Sequence, residues 1–485
     1  MPENKPGLTL IIDQGSHASR LALFTDAGEI NYLKSNNIST DNPEQSIYEH
    51  DANEILKSIE SLLDDLPDKL IQNIRSAGLC TQRSTIVAWN RSNGAPLSPA
   101  ISWRDTRAQP LISKLSAFSS RVRETTGLPL SAHYSAGKIH WLLENNKAVK
   151  QAYKKGELCI SPLASYLLFH LLKHKNCVID HSNAQRSQLF NIQKLNWSEE
   201  LLQLFQIEKS VLPECTPVMH HYGELNNSNI PLTAVCGDQN GVLYAYPPLK
   251  KKHALINIGT GAFILSTSQE RINNKQKLLR TLTSSRNNEA AFVTEGTVNG
   301  AGSALSWAQK RYPCDNIYKQ LPIWLKQIKS PPIFVNSISL LGSPWWCDAG
   351  KPDFLQKDAS TAKTHTQGER YSAIIESIVF LIFKNIQQLA ITPDTILISG
   401  GLSQLDSLCQ KLADLSKTNV VRFSESEATA RGCAWLANQA LENNNLKWKP
   451  LEISQQFISS DNSTMQIHLN ERYQQFVGEL NKRCS

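Results

Sequence analysis

The chain has 485 residues, 41% hydrophobic and 19% charged, with a net charge of +7. That is too long for a single core and too apolar for a disordered protein, and it predicts roughly two to four domains. No run approaches the ~20 apolar residues of a membrane span, and the polar start Met1-Pro2-Glu3-Asn4-Lys5-Pro6 carries no secretory signal, so a cytoplasmic protein without membrane attachment is expected. The one compact basic run, Lys250-Lys251-Lys252, follows two prolines and reads as a solvated loop rather than a nucleic-acid footprint. The ten cysteines are scattered without Cys-x-x-Cys spacing, and the twelve histidines form no ligand cluster. Free thiols are therefore expected, with neither disulfides nor a structural metal.

Taken in order, Leu8–Ile12 and Leu21–Phe24 are apolar runs around the turn Gln14-Gly15-Ser16-His17, a β-hairpin, and Asp26-Ala27-Gly28 turns into a third strand. Ile55, Ile59, Leu62, Leu63 and Leu66 fall at helical spacing. Ala77–Cys80 and Thr85–Trp89 read as further strands. The same order restarts with Ala254–Ile258, the turn Gly259-Thr260-Gly261, Ala262–Leu265 and a strand over Ala290–Thr294. A long helix follows over Arg370–Leu389, then a buried strand Thr395–Ser399, the pair Gly400-Gly401 and two more helices. Asp353–Gly368 reads as a long polar loop. Leu469, Tyr473, Phe476, Val477 and Leu480 predict a final amphipathic helix packed on the second half. One α/β unit thus occurs twice, giving lobes 1–246 and 247–485, a boundary near Tyr246-Pro247-Pro248 and a cleft between the lobes.

A tight hairpin with glycine and a small hydroxyl at its tip exposes N–H groups to a phosphate, and two such tips suit a polyphosphate. Asp13 precedes the first tip, where a carboxylate can hold Mg²⁺ through water. Each turn alone reads first as ordinary turn chemistry, Gly400-Gly401 is equally explained by strand–helix packing, and Asp238 taken alone reads first as a helix cap. No P-loop is present.

Together these pieces resemble the FGGY family of carbohydrate kinases, from Leu8 to Glu442. Asp13-Gln14-Gly15-Ser16 with Arg20 is similar to its first phosphate motif. Gln82-Arg83 and Trp103-Arg104-Asp105-Thr106-Arg107 are similar to its sugar-site segments. Lys138–Asn145 matches its signature helix, Gly237-Asp238-Gln239 its catalytic segment, and Gly259-Thr260-Gly261 its second phosphate motif. Gly342-Ser343-Pro344-Trp345-Trp346, then Gly400-Gly401 with Gln410 and Ala413-Asp414, and Glu427–Ala430 with Gly432 complete the series.

The resemblance implies an α/β fold of two actin-like, ribonuclease-H-like lobes with a catalytic cleft between them. The N-terminal lobe would bind the sugar or polyol and the C-terminal lobe the nucleotide, with transfer of the γ-phosphoryl group of MgATP to a hydroxyl. Asp238 would be the base. Arg83, Ser84, Trp103, His133, Asp238, Gln239 and Phe263 would meet the acceptor. Gly15, Ser16, His17, Arg20, Gly259, Thr260, Gly261, Gly400 and Gly401 would meet the phosphates, and Asp13 would help position Mg²⁺. Within the family the glycerol kinase branch is the most similar. Three positions depart from it: Ser84 stands for a glutamate, His133 for a tyrosine and His17 for a threonine. The first two make a longer polyol, or a ketopentose such as xylulose, a plausible acceptor. The competing reading is a catalytically weak or inactive actin-like sensor of nucleotide or sugar. The expected partners are a small sugar or polyol, with room left for a homodimer.

Overall fold

The computed structural model describes residues 7–44, 46–226, 228–246, 249–250, 252–267, 277–355, 365–425, 427–441, 448–460 and 463–484. Pro247, Pro248 and Lys251, and residues 356–364 of the polar loop, lie outside them. The chain divides into two compact units. Unit 1 holds Met1–Pro247, Arg280–Phe292 and Glu427–Pro450, and unit 2 holds Pro248–Leu279, Val293–Ser426 and Leu451–Ser485.

In unit 1, β1 (Leu8–Gln14) and β2 (Ala18–Thr25) form the first hairpin, and β3 (Ile30–Asn37) extends it. Asp51 caps α1 (Ala52–Asp64) by accepting the Asn53 N–H, and Ile55, Ile59 and Leu62 bury its apolar stripe. With β4 (Ile74–Thr81), β5 (Met219–Glu224) and β6 (Pro231–Gly237), the sheet order is β5-β6-β4-β1-β2-β3. β6, β4 and β1 run parallel at its centre. Every residue of β1 is buried, which is why its sequence is a continuous apolar run and not an alternation. Three helices matter below: α2 (Ser135–Asn145), α3 (His181–Gln185) and α4 (Asp238–Val242).

Unit 2 repeats the pattern. β7 (His253–Ile258) and β8 (Ala262–Ser266) form its hairpin, with β9 (Glu289–Val298) antiparallel to β8 and α5 (Gly302–Arg311) following. The long helix, α6, runs over Gln367–Ile386; a capping box between Thr366 and Glu369 starts it three residues before the apolar stripe. β10 (Thr395–Ser399), α7 (Asp406–Ser416) and β11 (Asn419–Phe423) follow. The chain then returns to unit 1 as α8 (Ala428–Gln439). β12 (Ile453–Phe457) and α9 (Ser463–Arg483) complete unit 2. Leu469, Tyr473, Phe476, Val477 and Leu480 of α9 are buried in its core.

One expectation is corrected. Cys347 and Cys484 form a disulfide, with Cα atoms 6.0 Å apart. They are 137 residues apart in sequence, so spacing could not reveal a pair that the last helix brings together. The other eight cysteines are free. Among the described residues no helix is long and apolar enough to cross a membrane.

Candidate active site

The three parallel strands of unit 1 stop level. Asp13 lies opposite Cys80, and Thr81 is in register with both Gln14 and Gly237. Their carboxyl ends therefore deliver Asp13 to Ser16, Gln82 to Ser84, and Asp238-Gln239 from neighbouring strands, the place where parallel sheets gather ligands. Asp13 is 4% exposed, and Arg20, across the hairpin, brings Nη1 to 3.5 Å from its Oδ2. Burial, and the Asp238 charge after it, push the Asp13 carboxyl up to about 6 despite Arg20.

Asp238 opens α4. Its Oδ1 accepts the Gln239 N–H at 2.7 Å and lies 3.7 Å from Arg83 Nε, and 27% of its side chain stays accessible. Burial raises its pKa and Arg83 opposes the rise. Two supports hold α4. The Gly237 N–H donates to Ser182 Oγ at 3.0 Å; Ser182 donates to Asp180, which caps α3 and takes Asn183 Nδ2 at 2.7 Å. On the other side, α8 approaches so closely that a Cβ on Gly432 would overlap the Gly241 carbonyl oxygen.

Of the predicted acceptor residues of unit 1, Arg83 and Gln239 adjoin Asp238, and Trp103 and His133 pack on each other. Ser84 has a left-handed φ of 63° and donates from Oγ to the Arg186 carbonyl at 3.3 Å. Trp103 Nε1 donates to Ser16 Oγ at 2.8 Å, so the first hairpin turn and the Trp103 segment share a bond. Ser16 in turn reaches Gln82 Oε1 at 3.4 Å, which Thr85 also reaches at 2.9 Å. The His133 ring meets the Trp103 ring edge-on, 5.0 Å between centroids. Burial, with Lys138, Arg186 and Arg83 nearby, drops its pKa to about 3, so this imidazole is a neutral wall. Burial and the charges of Arg104 and Arg20 lower His17 as well.

Unit 2 carries the other turns. The Gly259 N–H donates to the Gly261 carbonyl at 2.9 Å, closing the tip, and α5 docks on it through Gly302 N–H to Gly259 O at 3.0 Å and Ser303 N–H to Thr260 O at 2.9 Å. Gly400 has a φ of +88°, and a Cβ there would lie 2.5 Å from the Ile258 carbonyl oxygen. Gly401 is different: a Cβ would meet nothing within 4 Å. The even choice between packing and ligand contact thus splits, Gly400 serving the backbone and Gly401 facing open space. Phe263 stands on β8 of this unit, apart from the other acceptor residues in unit 1. Gln410 and Asp414 brace the chain near β12, Gln410 Nε2 to Ile458 O at 2.8 Å and Ser460 N–H to Asp414 at 2.7 Å.

Sequence reasoning gave no role to Asp180, Ser182 or Arg186. The Asp-x-Ser-Asn cap pattern at 180–183 was a legible signal for the first two; nothing local marks Arg186.

Two α/β units of one topology, with carboxylates at the strand ends of one and glycine turns on the other, define the two-lobe actin-like, ribonuclease-H-like class. Solved structures share this fold. Glycerol kinase from Plasmodium falciparum, crystallised with ADP, is similar at TM-score 0.82 and 24% identity, covering 98% of both chains. Xylulose kinase from Lactobacillus acidophilus is similar at TM-score 0.81 and 19% identity, again over 98% of both. A curated relative, glycerol kinase from Citrifermentans bemidjiense, is 31% identical over 440 residues, 88% of this chain and 89% of its own. Family models match residues 8–239 as the N-terminal domain, and 254–441 as the C-terminal domain, of the FGGY family of carbohydrate kinases. The chain belongs to that family. It is a glycerol-kinase-like carbohydrate kinase, a phosphotransferase with an alcohol group as acceptor, and ATP is the phosphoryl donor.

Proposed function

We propose that this kinase phosphorylates a hydroxyl of a polyol or ketopentose longer than glycerol, with Asp238 as the general base. The observation that carries the reading is the Asp238 carboxylate. It is partly accessible at a strand end, has its pKa raised by burial and lies 3.7 Å from Arg83. Such a group takes the proton of the accepting hydroxyl as the oxygen attacks phosphorus. Arg83 orients that carboxylate and Gln239 follows it on α4, while Trp103 and His133 form one wall. Phe263 would complete the acceptor contacts. The region up to residue 246 would bind the acceptor and the remainder the nucleotide. Gly15, Ser16, His17 and Arg20, together with Gly259, Thr260, Gly261, Gly400 and Gly401, would meet phosphate oxygens.

Ser84 supports the longer acceptor. It offers a hydroxyl already bonded to Arg186 O and no carboxylate to receive a pair of small-substrate hydroxyls.

Mg²⁺ fits Asp13. The side chain is a buried hard oxygen donor at a strand end. The ion would be held by this carboxylate, water and substrate phosphates. When bound, the ion neutralises phosphate charge.

The test is ADP release coupled to a reporter, over glycerol, dihydroxyacetone, tetritols, pentitols and ketopentoses. A higher kcat/KM for a four- or five-carbon acceptor than for glycerol is expected. Preference for glycerol would sink the substrate reading, and full turnover by Asp238→Asn would remove Asp238 as base.

A further inference from the structure

Lys138 lies on α2 and is fully buried. A buried ammonium is costly unless each of its three N–H groups finds an acceptor. Here the acceptors are three backbone carbonyls: Ser102 O at 2.8 Å, His133 O at 2.9 Å and Ser84 O at 3.5 Å. They come from three separate chain segments, and each segment carries a residue of the proposed acceptor wall. Ser84 and His133 own their carbonyls, and the Ser102 carbonyl belongs to the peptide that leads into Trp103.

Fixing a carbonyl fixes the peptide plane and with it the start of the neighbouring side chain. The anchor matters most at Ser84, whose φ of 63° costs energy and persists only where surrounding bonds hold it. Ser135 Oγ donates to the same carbonyl at 3.4 Å, beside the charged Nζ donor at 3.5 Å. The nearest carboxylate, Asp105, is already occupied by Arg107 and by the Tyr48 N–H. An apolar side chain would fill the space as well for packing, yet it would leave three carbonyls facing one another. The function of the ammonium is therefore alignment.

We propose that Lys138 is the positioning residue of the acceptor subsite, its ammonium tying the Ser84, Ser102 and His133 carbonyls so that Ser84, Trp103 and His133 hold one mutual geometry. This rests on the acceptor reading above. Its mark is selectivity between the substrates: Lys138 sets the affinity for the acceptor and leaves nucleotide binding alone.

Two variants test it, Lys138→Met and Lys138→Gln, each checked for folding by thermal melting. With the best acceptor of the screen, Lys138→Met is expected to raise the acceptor KM about 10- to 100-fold, while the ATP KM stays within about twofold. Lys138→Gln, which keeps two donors, should fall between Met and the native residue. A folded Lys138→Met with unchanged acceptor KM, or with both KM values rising together, overturns the proposal.

If no acceptor is phosphorylated, the acceptor reading fails. Amide hydrogen exchange still judges Lys138 there: faster exchange in residues 84–86, 102–104 and 133–135 of the folded variants supports it, and unchanged exchange refutes it. Should neither variant fold, ¹⁵N spectra of the native lysine ammonium groups decide. A slowly exchanging Nζ signal that shifts with acceptor and not with ADP is expected, and one indifferent to acceptor overturns the role.

Discussion

Strand for strand, β1, β4 and β6 of unit 1 correspond to β7, β10 and β11 of unit 2. Both sets are parallel, both are flanked by a hairpin partner on one side, and both end in an antiparallel strand on the other. The strand ends differ. In unit 1 they carry Asp13, Arg83 and Asp238, charged side chains whose carboxylates burial pushes toward the protonated form while Arg20 and Arg83 oppose it. In unit 2 the first two carry Gly259-Thr260-Gly261 and Gly400-Gly401, turns with little or no side chain. One topology thus accommodates two demands. Acid–base chemistry needs side chains with perturbed pKa values, and close approach to a ligand needs side chains to be missing.

The contrast predicts that Asp238 in unit 1 matters for rate and Gly400 in unit 2 for stability, and four measurements can break or sharpen it. The largest effect is expected from Asp238→Asn, a fall of roughly 10²–10⁴ in kcat at near-native melting temperature, read by ADP release. An equal loss of stability would mean Asp238 is structural. Next comes Gly400→Ala, which forces a side chain onto a left-handed backbone against the Ile258 carbonyl. A loss of about 1–3 kcal/mol in urea unfolding is expected, against less than ~0.5 kcal/mol for Gly401→Ala. Equal losses would erase the distinction between the two glycines.

Asp13→Asn should stabilise the free protein. The folded pKa, about 6, exceeds the ordinary aspartate value of 3.8, so the native carboxyl holds its proton longer than the unfolded one. The stability that this proton contributes is present in full below 3.8 and lost as pH rises through 6. The variant should therefore gain on the order of 3 kcal/mol at pH 8 and little at pH 4. A gain independent of pH would refute the linkage. Smallest is Ser16→Ala, which frees the Trp103 indole at a cost of about 1 kcal/mol. Its signature is a changed tryptophan emission, and an unchanged spectrum would argue against the shared bond.

Much of this was legible in the sequence because it is local. Apolar runs around Gly15 and Gly259-Thr260-Gly261 give both hairpins, and the stripe through Ile374, Ile378 and Leu381 gives α6. Asp13, Arg83 and Asp238 are readable as a set through family motifs, and the strand register explains why they converge. What stayed hidden is non-local. Lys138 is a lysine in an apolar helix until three distant carbonyls surround it. Cys347 and Cys484 have no spacing to betray them. The return of α8 to unit 1 leaves no mark on its own residues beyond Gly432, whose need for close approach is visible only once Gly241 lies beneath it.

That return has a consequence for synthesis. The helix carrying Asp238 leans on α8, which emerges from the ribosome about 200 residues later, a wait of roughly 10–40 s at ordinary elongation speeds. Throughout it, the first 247 residues hold an unfinished hydrophobic face. A fragment cut there should expose the apolar side that Ala430, Cys433, Ala434 and Ala437 normally cover. The unit that holds Asp13 and Asp238 is thus completed by a helix from the last sixty residues.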